Sequence, residues 1–271
     1  MTPDGLRGLV GPLVEMARAA GKAALVHYGH RLSARAKADG SPVTDADEAS
    51  EALILEGLAR LTPGIPVVSE ERFAAGHLPF PAGQPPRLFW LVDPLDGTKE
   101  FVARNGEFAI NIGLVEDRYP VFGLLHGPTD DTIWCSDGDG GAFQERGGGP
   151  RTRLRARSVR ARGGIVVSSR SHGNGAALDA WSEEVGAGER RILGSARKFG
   201  VVAAGEADLY PRFGPTSEWD SCAGQAILEQ AGGSVATFAG ERLSYGKPGF
   251  RNPDFLARGA GPLSAGGPAG R

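Results

Sequence analysis

Two aspartates follow directly after an apolar run in the segment LFWLVDPLDGTKEF, residues 88–101. The apolar run at 88–92 predicts a strand buried on both faces, and α/β proteins place ligands at the C-terminal end of such a strand. Pro94 fixes its own φ angle, and Asp96-Gly97 is typical of a turn. Because Asp93 and Asp96 repel each other unless a cation joins them, the pattern indicates either a plain turn or a metal site.

Two further acids are placed at the ends of predicted elements. Glu70 closes a short predicted strand, IPVVSEE at 65–71, and Asp220 lies near the start of a helix predicted over 217–231, with Thr216 or Ser217 as its N-cap. Each acid alone is explained by a solvated strand end or a helix start. Four carboxylates without a matching His or Cys set favour a hard cation such as Mg²⁺. A helix predicted to begin after Gly97 adds free N–H groups for a phosphate, which indicates phosphoryl chemistry.

Asp47 has a simpler explanation at this stage. Thr44 is a suitable helix N-cap, and Asp47 stands three residues later, at the capping-box position of a helix predicted through residue 61. The spacing by itself therefore favours a capping role for Asp47.

The composition excludes several protein classes. The chain has 271 residues, 41% hydrophobic and 23% charged, with a net charge of −2, so bulk charge favours neither nucleic acid nor an anionic membrane. The only cysteines, Cys135 and Cys222, form neither a disulfide framework nor a metal knuckle. We see no signal peptide and no run of about 18 apolar residues, so we expect a cytoplasmic protein without a membrane span.

An arginine-rich segment, RTRLRARSVRAR at 151–162, marks a change in composition. No aromatic residue is interleaved to stack bases, so a solvated strand face followed by a linker is favoured over a nucleic-acid patch. We place the domain boundary here. Residues 1–155 are predicted to form an N-terminal α+β domain that carries most of the acids, and residues 156–257, where strands and helices alternate, a C-terminal α/β domain. Residues 258–271 are a low-complexity tail, predicted to be flexible.

Several segments resemble the inositol monophosphatase family of lithium-sensitive, Mg²⁺-dependent phosphatases. DPLDGT at 93–98, WDSCAG at 219–224 and SEE at 69–71 carry this resemblance, which covers roughly residues 5–257. It implies a layered αβαβα sandwich of the inositol monophosphatase and fructose-1,6-bisphosphatase type. Within the family the chain is most similar to the bacterial 3′(2′),5′-bisphosphate nucleotidases of the CysQ type, on KADGSPVTDAD at 37–47, SSRSH at 168–172, GSARKF at 194–199 and LYPRFGPTSEWD at 209–220. Inositol monophosphatases usually carry Thr-Asn-Phe where this chain has Lys-Glu-Phe at 99–101.

The resemblance also implies roles for individual residues. The metal ligands that it implies are Glu70, Asp93, the carbonyl of Leu95, Asp96 and Asp220. Asp47 and Thr98 would orient and deprotonate the attacking water, which replaces the capping interpretation of Asp47, and Glu70 would take part in catalysis. Gly97 and Thr98 would cradle the scissile phosphate. For the substrate, the resemblance places His172 near the adenine. It places Ser195, Lys198 and Arg212 near the second phosphate, and the two cations Lys198 and Arg212 are suited to a dianion.

The activity implied is hydrolysis of the 3′-phosphate of adenosine 3′,5′-bisphosphate, and of its 5′-phosphosulfate analogue, by metal-activated water, as in sulfur assimilation. The resemblance implies two or three Mg²⁺ ions, inhibition by Li⁺ and by Ca²⁺, a small phosphorylated nucleotide as the partner, and a monomer or homodimer. Two alternatives stay open: an inositol monophosphatase or fructose-1,6-bisphosphatase activity on the same site, and a non-catalytic relative that binds a nucleotide or a partner protein. The presence of every expected acid favours an enzyme.

Overall fold

The computed structural model describes residues 2–29, 35–36, 42–160, 162–170 and 175–261. Within these ranges the α-helices are α1 Pro3–His27, α2 Asp45–Leu61, α3 Glu70–Ala74, α4 Thr98–Val102, α5 Gly175–Glu184, α6 Arg197–Ala203 and α7 Cys222–Gln230. Two 3₁₀ turns cover Glu218–Asp220 and Pro248–Phe250. None of these helices combines the length and the apolarity that crossing a bilayer requires.

The strands of the described residues form two large sheets and two short ribbons. In chain order they are β1 Arg35–Ala36, β2 Pro42–Val43, β3 Val67–Ser69, β4 Leu88–Asp96, β5 Ala109–Glu116, β6 Tyr119–Gly127, β7 Thr132–Ser136, β8 Ala142–Arg146, β9 Thr152–Arg153, β10 Ile165–Ser168, β11 Glu189–Ile192, β12 Leu209–Arg212, β13 Thr216–Ser217, β14 Ser234–Thr237, β15 Arg251–Asn252 and β16 Phe255–Arg258. The first sheet has the order β3-β4-β5-β6-β7-β8-β9 and is antiparallel except for β3 and β4. The second has the order β11-β10-β12-β16-β14, with β10 parallel to both of its neighbours.

Strand β4 is buried on both faces, as the apolar run predicts. Phe89 and Leu91 join the core that contains α6 and α7, whereas Trp90 and Val92 join the core on the other face, beneath α1 and α2. Alternate side chains of one strand therefore anchor two different layers. The indole N–H of Trp90 donates to the Thr62 hydroxyl at 3.0 Å, so the one polar atom of that side chain is satisfied.

The layers follow from these two cores. Helices α1 and α2 cover one face of the first sheet, and α6 and α7 fill the space between the two sheets. Helix α5 covers the outer face of the second sheet, where Trp181 packs with Val166 and Leu209. The order is therefore helices, sheet, helices, sheet, helix, and the expected layered αβαβα sandwich is confirmed.

The structure corrects four local predictions. Strand β3 ends at Ser69, so Glu70 begins helix α3 instead of closing a strand. Strand β4 continues to Asp96, and its register against β5 shifts between Asp93 and Asp96, so the predicted turn is an irregularity within a strand. The helix predicted over 217–231 is a 3₁₀ turn followed by α7 from Cys222. Arg258 ends β16, between β12 and β14, so the tail does not begin there.

The arginine-rich segment forms ion pairs within the fold. Strand β9 lies at the exposed edge of the first sheet, as the interpretation of a solvated strand face requires. Arg151 lies over the Phe143 ring and pairs with Glu145 at 3.1 Å. Arg157 makes a two-pronged contact with Asp208, whose side chain is fully buried and also accepts the Ile165 N–H. Arg157 therefore ties this segment to the second sheet.

Removing that tie should destabilise the fold. Arg157→Ala leaves the buried carboxylate of Asp208 without its cation, and we expect a loss of about 3 kcal/mol in the free energy of unfolding. Arg155→Ala is the matched control, because Arg155 is exposed in the same segment. Urea unfolding of both variants makes the comparison, and equal midpoints would contradict the structural role of Arg157.

Helix α7 packs so closely on β6 that a methyl group at Gly123 has no room. A Cβ there would lie 2.1 Å from the carbonyl oxygen of Ala223, a backbone atom that cannot rotate away. Gly123→Ala should therefore cost about 3 kcal/mol of stability, at the upper end for an overpacked core. Gly8→Ala on helix α1 meets nothing within 4 Å and should stabilise the protein by about 0.5–1 kcal/mol. Thermal melting would show opposite shifts, and a Gly123→Ala protein as stable as the wild type would contradict this packing.

Candidate active site

Three carboxylates from separate elements meet at one point. Glu70 is the first residue of α3, Asp93 lies in β4, and Asp220 lies in the 3₁₀ turn before α7. One oxygen of each lies within 4.8 Å of the others. An oxygen-only set at this spacing fits a hard divalent cation such as Mg²⁺. We call Glu70, Asp93 and Asp220 the acid triad.

Burial and mutual repulsion strain the acid triad when no cation is bound. Burial raises the pKa of Asp93 well above its usual range, and the charges of the neighbouring acids raise it further. The pKa of Asp220 is raised for the same two reasons. A divalent ion would relieve both effects, since it replaces lost hydration and screens the repulsion. The donor set and its electrostatics therefore fit the expected Mg²⁺.

Asp96 lies outside the triad but interacts with it electrostatically. Burial raises the pKa of Asp96. The positive charge of Lys198 lowers this pKa, whereas the negative charge of Glu70 raises it. Oδ2 of Asp96 accepts the Ala196 N–H at 2.5 Å and the Asn111 side-chain amide at 3.3 Å. Both donors fix the direction of this carboxylate from outside the triad.

Asp47 serves two neighbours with its two oxygens. Oδ2 accepts the Thr44 N–H at 2.8 Å, so the capping box predicted from the spacing is present. Oδ1 accepts the Thr98 hydroxyl at 3.4 Å, and that hydroxyl also lies 3.4 Å from the Leu95 carbonyl oxygen. The capping position and the position beside Thr98 are thus compatible in one side chain. The catalytic role of the pair remains a prediction.

A cavity of about 590 Å³ adjoins these acids. Glu70 and Asp220 of the acid triad line it. Other residues of its wall are Asp96, Gly97, Ser195, Lys198 and Arg212. Aromatic side chains complete its wall, namely Phe73, Tyr210, Trp219 and Phe255. Carboxylates that could hold a metal and cations that could hold an anion therefore line the same cavity.

Two cations in this wall, Lys198 and Arg212, are buried. The Lys198 ammonium donates to the carbonyl oxygens of Leu193, at 3.1 Å, and Ser195, and it lies 5.1 Å from the centre of the Tyr210 ring. Burial lowers the pKa of Lys198 to about 8, although the charge of Asp96 acts in the opposite direction. The Arg212 guanidinium donates to the Pro215 carbonyl at 2.7 Å. His172, predicted to lie near the adenine, is outside the described residues.

The sequence did not reveal several residues that complete the site. Asn111, which donates to Asp96, is fully buried in strand β5, whose other buried residues are apolar, and a lone amide in such a run is the signal that could have identified it. Glu100 and Arg251 also line the cavity. The Thr216 hydroxyl is buried in its wall without a hydrogen-bond partner among the described residues, which is typical of an atom that meets a ligand.

Comparison with known proteins identifies the family of this chain. The sequence model of the inositol monophosphatase family matches residues 8–260. The chain belongs to the inositol monophosphatase family. Over 244 residues it is 41% identical to the 3′(2′),5′-bisphosphate nucleotidase CysQ of Escherichia coli O157:H7 and 43% identical to that of Salmonella typhimurium, covering 89% of this chain and 96% of each relative.

Solved structures of the inositol monophosphatase family share the fold. CysQ from Bacteroides thetaiotaomicron superposes with a TM-score of 0.74 at 31% identity, covering 93% of this chain and 98% of that one. SuhB of Mycobacterium tuberculosis superposes with a TM-score of 0.69 at 26% identity, covering 95% and 92%. The resemblance inferred from the sequence motifs is therefore confirmed at the level of family and fold.

Neutralising one acid of the triad should separate metal binding from folding. Asp93→Asn removes a charge from a repulsive buried cluster, and the amide oxygen can still accept the Leu95 N–H that the carboxylate accepts at 3.0 Å. The metal-free variant should therefore melt at or above the wild-type temperature. It should also lose the stabilisation by Mg²⁺, which for a ligand at 100 times its Kd is about 2.7 kcal/mol.

Asp117→Asn is the control for this experiment, because Asp117 is an exposed acid paired with Arg87. Melting curves with and without Mg²⁺ make the comparison. A full Mg²⁺ response in Asp93→Asn would contradict the assignment of the acid triad as a metal site.

Proposed function

We propose that this protein is a Mg²⁺-dependent phosphatase that removes the 3′-phosphate of adenosine 3′,5′-bisphosphate, yielding AMP and phosphate. One observation carries the proposal: acids suited to a metal, among them Glu70, Asp96 and Asp220, line the same cavity as the buried cations Lys198 and Arg212. A substrate with two phosphates, one to be cleaved and one to be kept, needs both kinds of group. The names of the CysQ relatives, at 41–43% identity, support this choice within the family.

Mg²⁺ would be held by the acid triad together with Asp96 and the Leu95 carbonyl. When bound, the metal would neutralise charge on the phosphoryl group and acidify water for attack. The residues of the chain would supply orientation. Gly97, which lines the cavity, lies at a φ of 93°, which a side chain rarely tolerates, and we assign the scissile phosphate to a position beside Gly97 and Thr98.

Thr98 and Asp47 would together accept the proton of the attacking water. The Thr98 hydroxyl donates to Asp47 Oδ1, so its oxygen is free to accept a proton from an attacking water while its own proton moves to Asp47. The hydrogen bond from Thr44 to the other carboxylate oxygen fixes Asp47 in this orientation. The helix cap therefore doubles as the support of a general base.

The remaining part of the cavity suits a nucleoside and its second phosphate. Its aromatic wall includes Phe73 and Trp219, whose ring centres lie 5.4 Å apart and offer apolar surface to a base. Ser195, Lys198 and Arg212 would bind the 5′-phosphate, and the buried Thr216 hydroxyl offers one more polar contact. An inositol monophosphate has no second phosphate for these cations. The 5′-phosphosulfate analogue would fit the same anion site, which would place the enzyme in sulfur assimilation.

The rates of phosphate release from three compounds identify the preferred substrate. We expect adenosine 3′,5′-bisphosphate to have the highest kcat/KM, above inositol 1-phosphate and fructose 1,6-bisphosphate, with turnover that requires Mg²⁺ and falls with added Li⁺. Asp96→Asn should remove most of this turnover, by about 100-fold or more, while the fold persists.

Arg242→Ala, at an exposed arginine paired with Glu229, is the control for this assay. Inositol 1-phosphate as the best substrate would sink the nucleotidase proposal and favour the monophosphatase alternative. The absence of Mg²⁺-dependent turnover on all three compounds would favour a non-catalytic relative.

A further inference from the structure

Residues 193–196, which we call the 193–196 turn, lie between β11 and α6. They connect the part of the cavity wall that contains Ser195 and Lys198 to Asp96. The last residue of the turn, Ala196, donates its backbone N–H to Asp96 Oδ2 at 2.5 Å. Ser195 lies at a φ of 53°, in the left-handed region that non-glycine residues rarely adopt. A turn in this conformation persists only when its surroundings hold it in place.

Two groups hold the 193–196 turn from different sides. The Lys198 ammonium donates to the carbonyl oxygens of Leu193 and Ser195. The Gly194 N–H donates to Glu107 Oε2 at 2.8 Å. Lys198 is only 2% exposed, so its two carbonyl bonds form away from water and are correspondingly strong. An ammonium has three N–H groups, and one remains for a phosphate of the substrate.

We propose that Lys198 is a positioning residue for Asp96 as well as a ligand of the substrate phosphate. By binding the two carbonyls it fixes the 193–196 turn, and the turn aims the Ala196 N–H at the carboxylate that would bind metal. The substrate part of this statement rests on the proposed function, whereas the metal part can be measured without any substrate.

Charge and geometry predict opposite effects on metal affinity. The positive charge of Lys198 acts on Asp96 and disfavours a second cation nearby. If charge were its only influence, removing it would tighten Mg²⁺ binding. If Lys198 positions Asp96 through the turn, removing it lets the carboxylate reorient and weakens Mg²⁺ binding. The direction of the change therefore separates the two explanations.

The first experiment is calorimetric titration of substrate-free Lys198→Met with Mg²⁺. Removing a partner that supports a metal ligand typically costs 10–100-fold in affinity or activity, and we expect Kd to rise by about 10-fold. Arg190→Met is the control, because Arg190 is a cation on the strand that leads into the turn and pairs with Asp179 outside the cavity. Its Kd should equal that of the wild type.

A second variant disturbs the turn without changing any charge. A Cβ at Gly194 would lie 2.7 Å from the Glu107 carbonyl oxygen and 2.6 Å from Glu100 Cγ, so Gly194→Ala must displace the turn. Its Kd for Mg²⁺ should rise in the same direction as that of Lys198→Met. If Lys198→Met does not fold, as judged by thermal melting, Gly194→Ala still tests whether the position of the 193–196 turn controls the Mg²⁺ affinity, and an unchanged Kd in that variant would then overturn the proposal.

The kinetic test uses adenosine 3′-phosphate, which lacks the 5′-phosphate. A lysine that only binds the 5′-phosphate would leave kcat on this compound unchanged when removed. We expect Lys198→Met to lower that kcat by about 10-fold in addition to raising KM for the bisphosphate, while Arg212→Met loses more on the bisphosphate than on adenosine 3′-phosphate. Wild-type or tighter Mg²⁺ binding in Lys198→Met and Gly194→Ala would overturn the proposal. Failure of the wild type to cleave the bisphosphate would instead refute the proposed function.

Discussion

Repulsion among buried carboxylates is the constraint on which the site depends. The acids come from different elements, and only a rigid fold can hold them together before a cation arrives. The structure uses the same device for four of them, since a backbone N–H fixes one oxygen of each carboxylate. The pairs are Thr44 with Asp47, Leu95 with Asp93, Ala196 with Asp96 and Ser217 with Asp220. Each bond orients a carboxylate and lowers the free-energy cost of keeping it charged.

One of these N–H groups reaches its carboxylate across the boundary between the two large sheets. Asp96 belongs to a strand of the first sheet, yet its partner Ala196 follows a strand of the second. The Arg197 guanidinium, at the start of α6, also contacts the first sheet. It pairs with Asp130 and lies 5.5 Å from the centre of the Trp134 ring in β7. The geometry of the site thus depends on how the layers pack, and a change in the middle helical layer would reach the acids through the backbone.

The sequence predicted what is local and missed what joins distant segments. The buried strand before Asp93 and the capping box at Asp47 follow from patterns of two to seven residues, and both are present. The contact between Ala196 and Asp96 spans 100 residues, and periodicity carries no information about it. The helical start at Glu70 was missed because a short apolar run, IPVV at 65–68, followed by Ser69 resembles a strand end as much as a helix cap. The motifs identified acids that the fold brings together, but the backbone N–H groups that bind these acids could be found only from the fold.

The choice of lysine at position 198 follows from what its head group can satisfy. A buried ammonium is costly, and here carbonyl oxygens and the charge of Asp96 offset that cost. Its three N–H groups diverge, so two can bind carbonyls of the 193–196 turn while the third points elsewhere. A guanidinium is planar and directs its donors in a fork, which suits Arg212 in the cavity wall but not the centre of a tight turn. The same geometry would allow one side chain to support Asp96 through the turn and also to contact an anion.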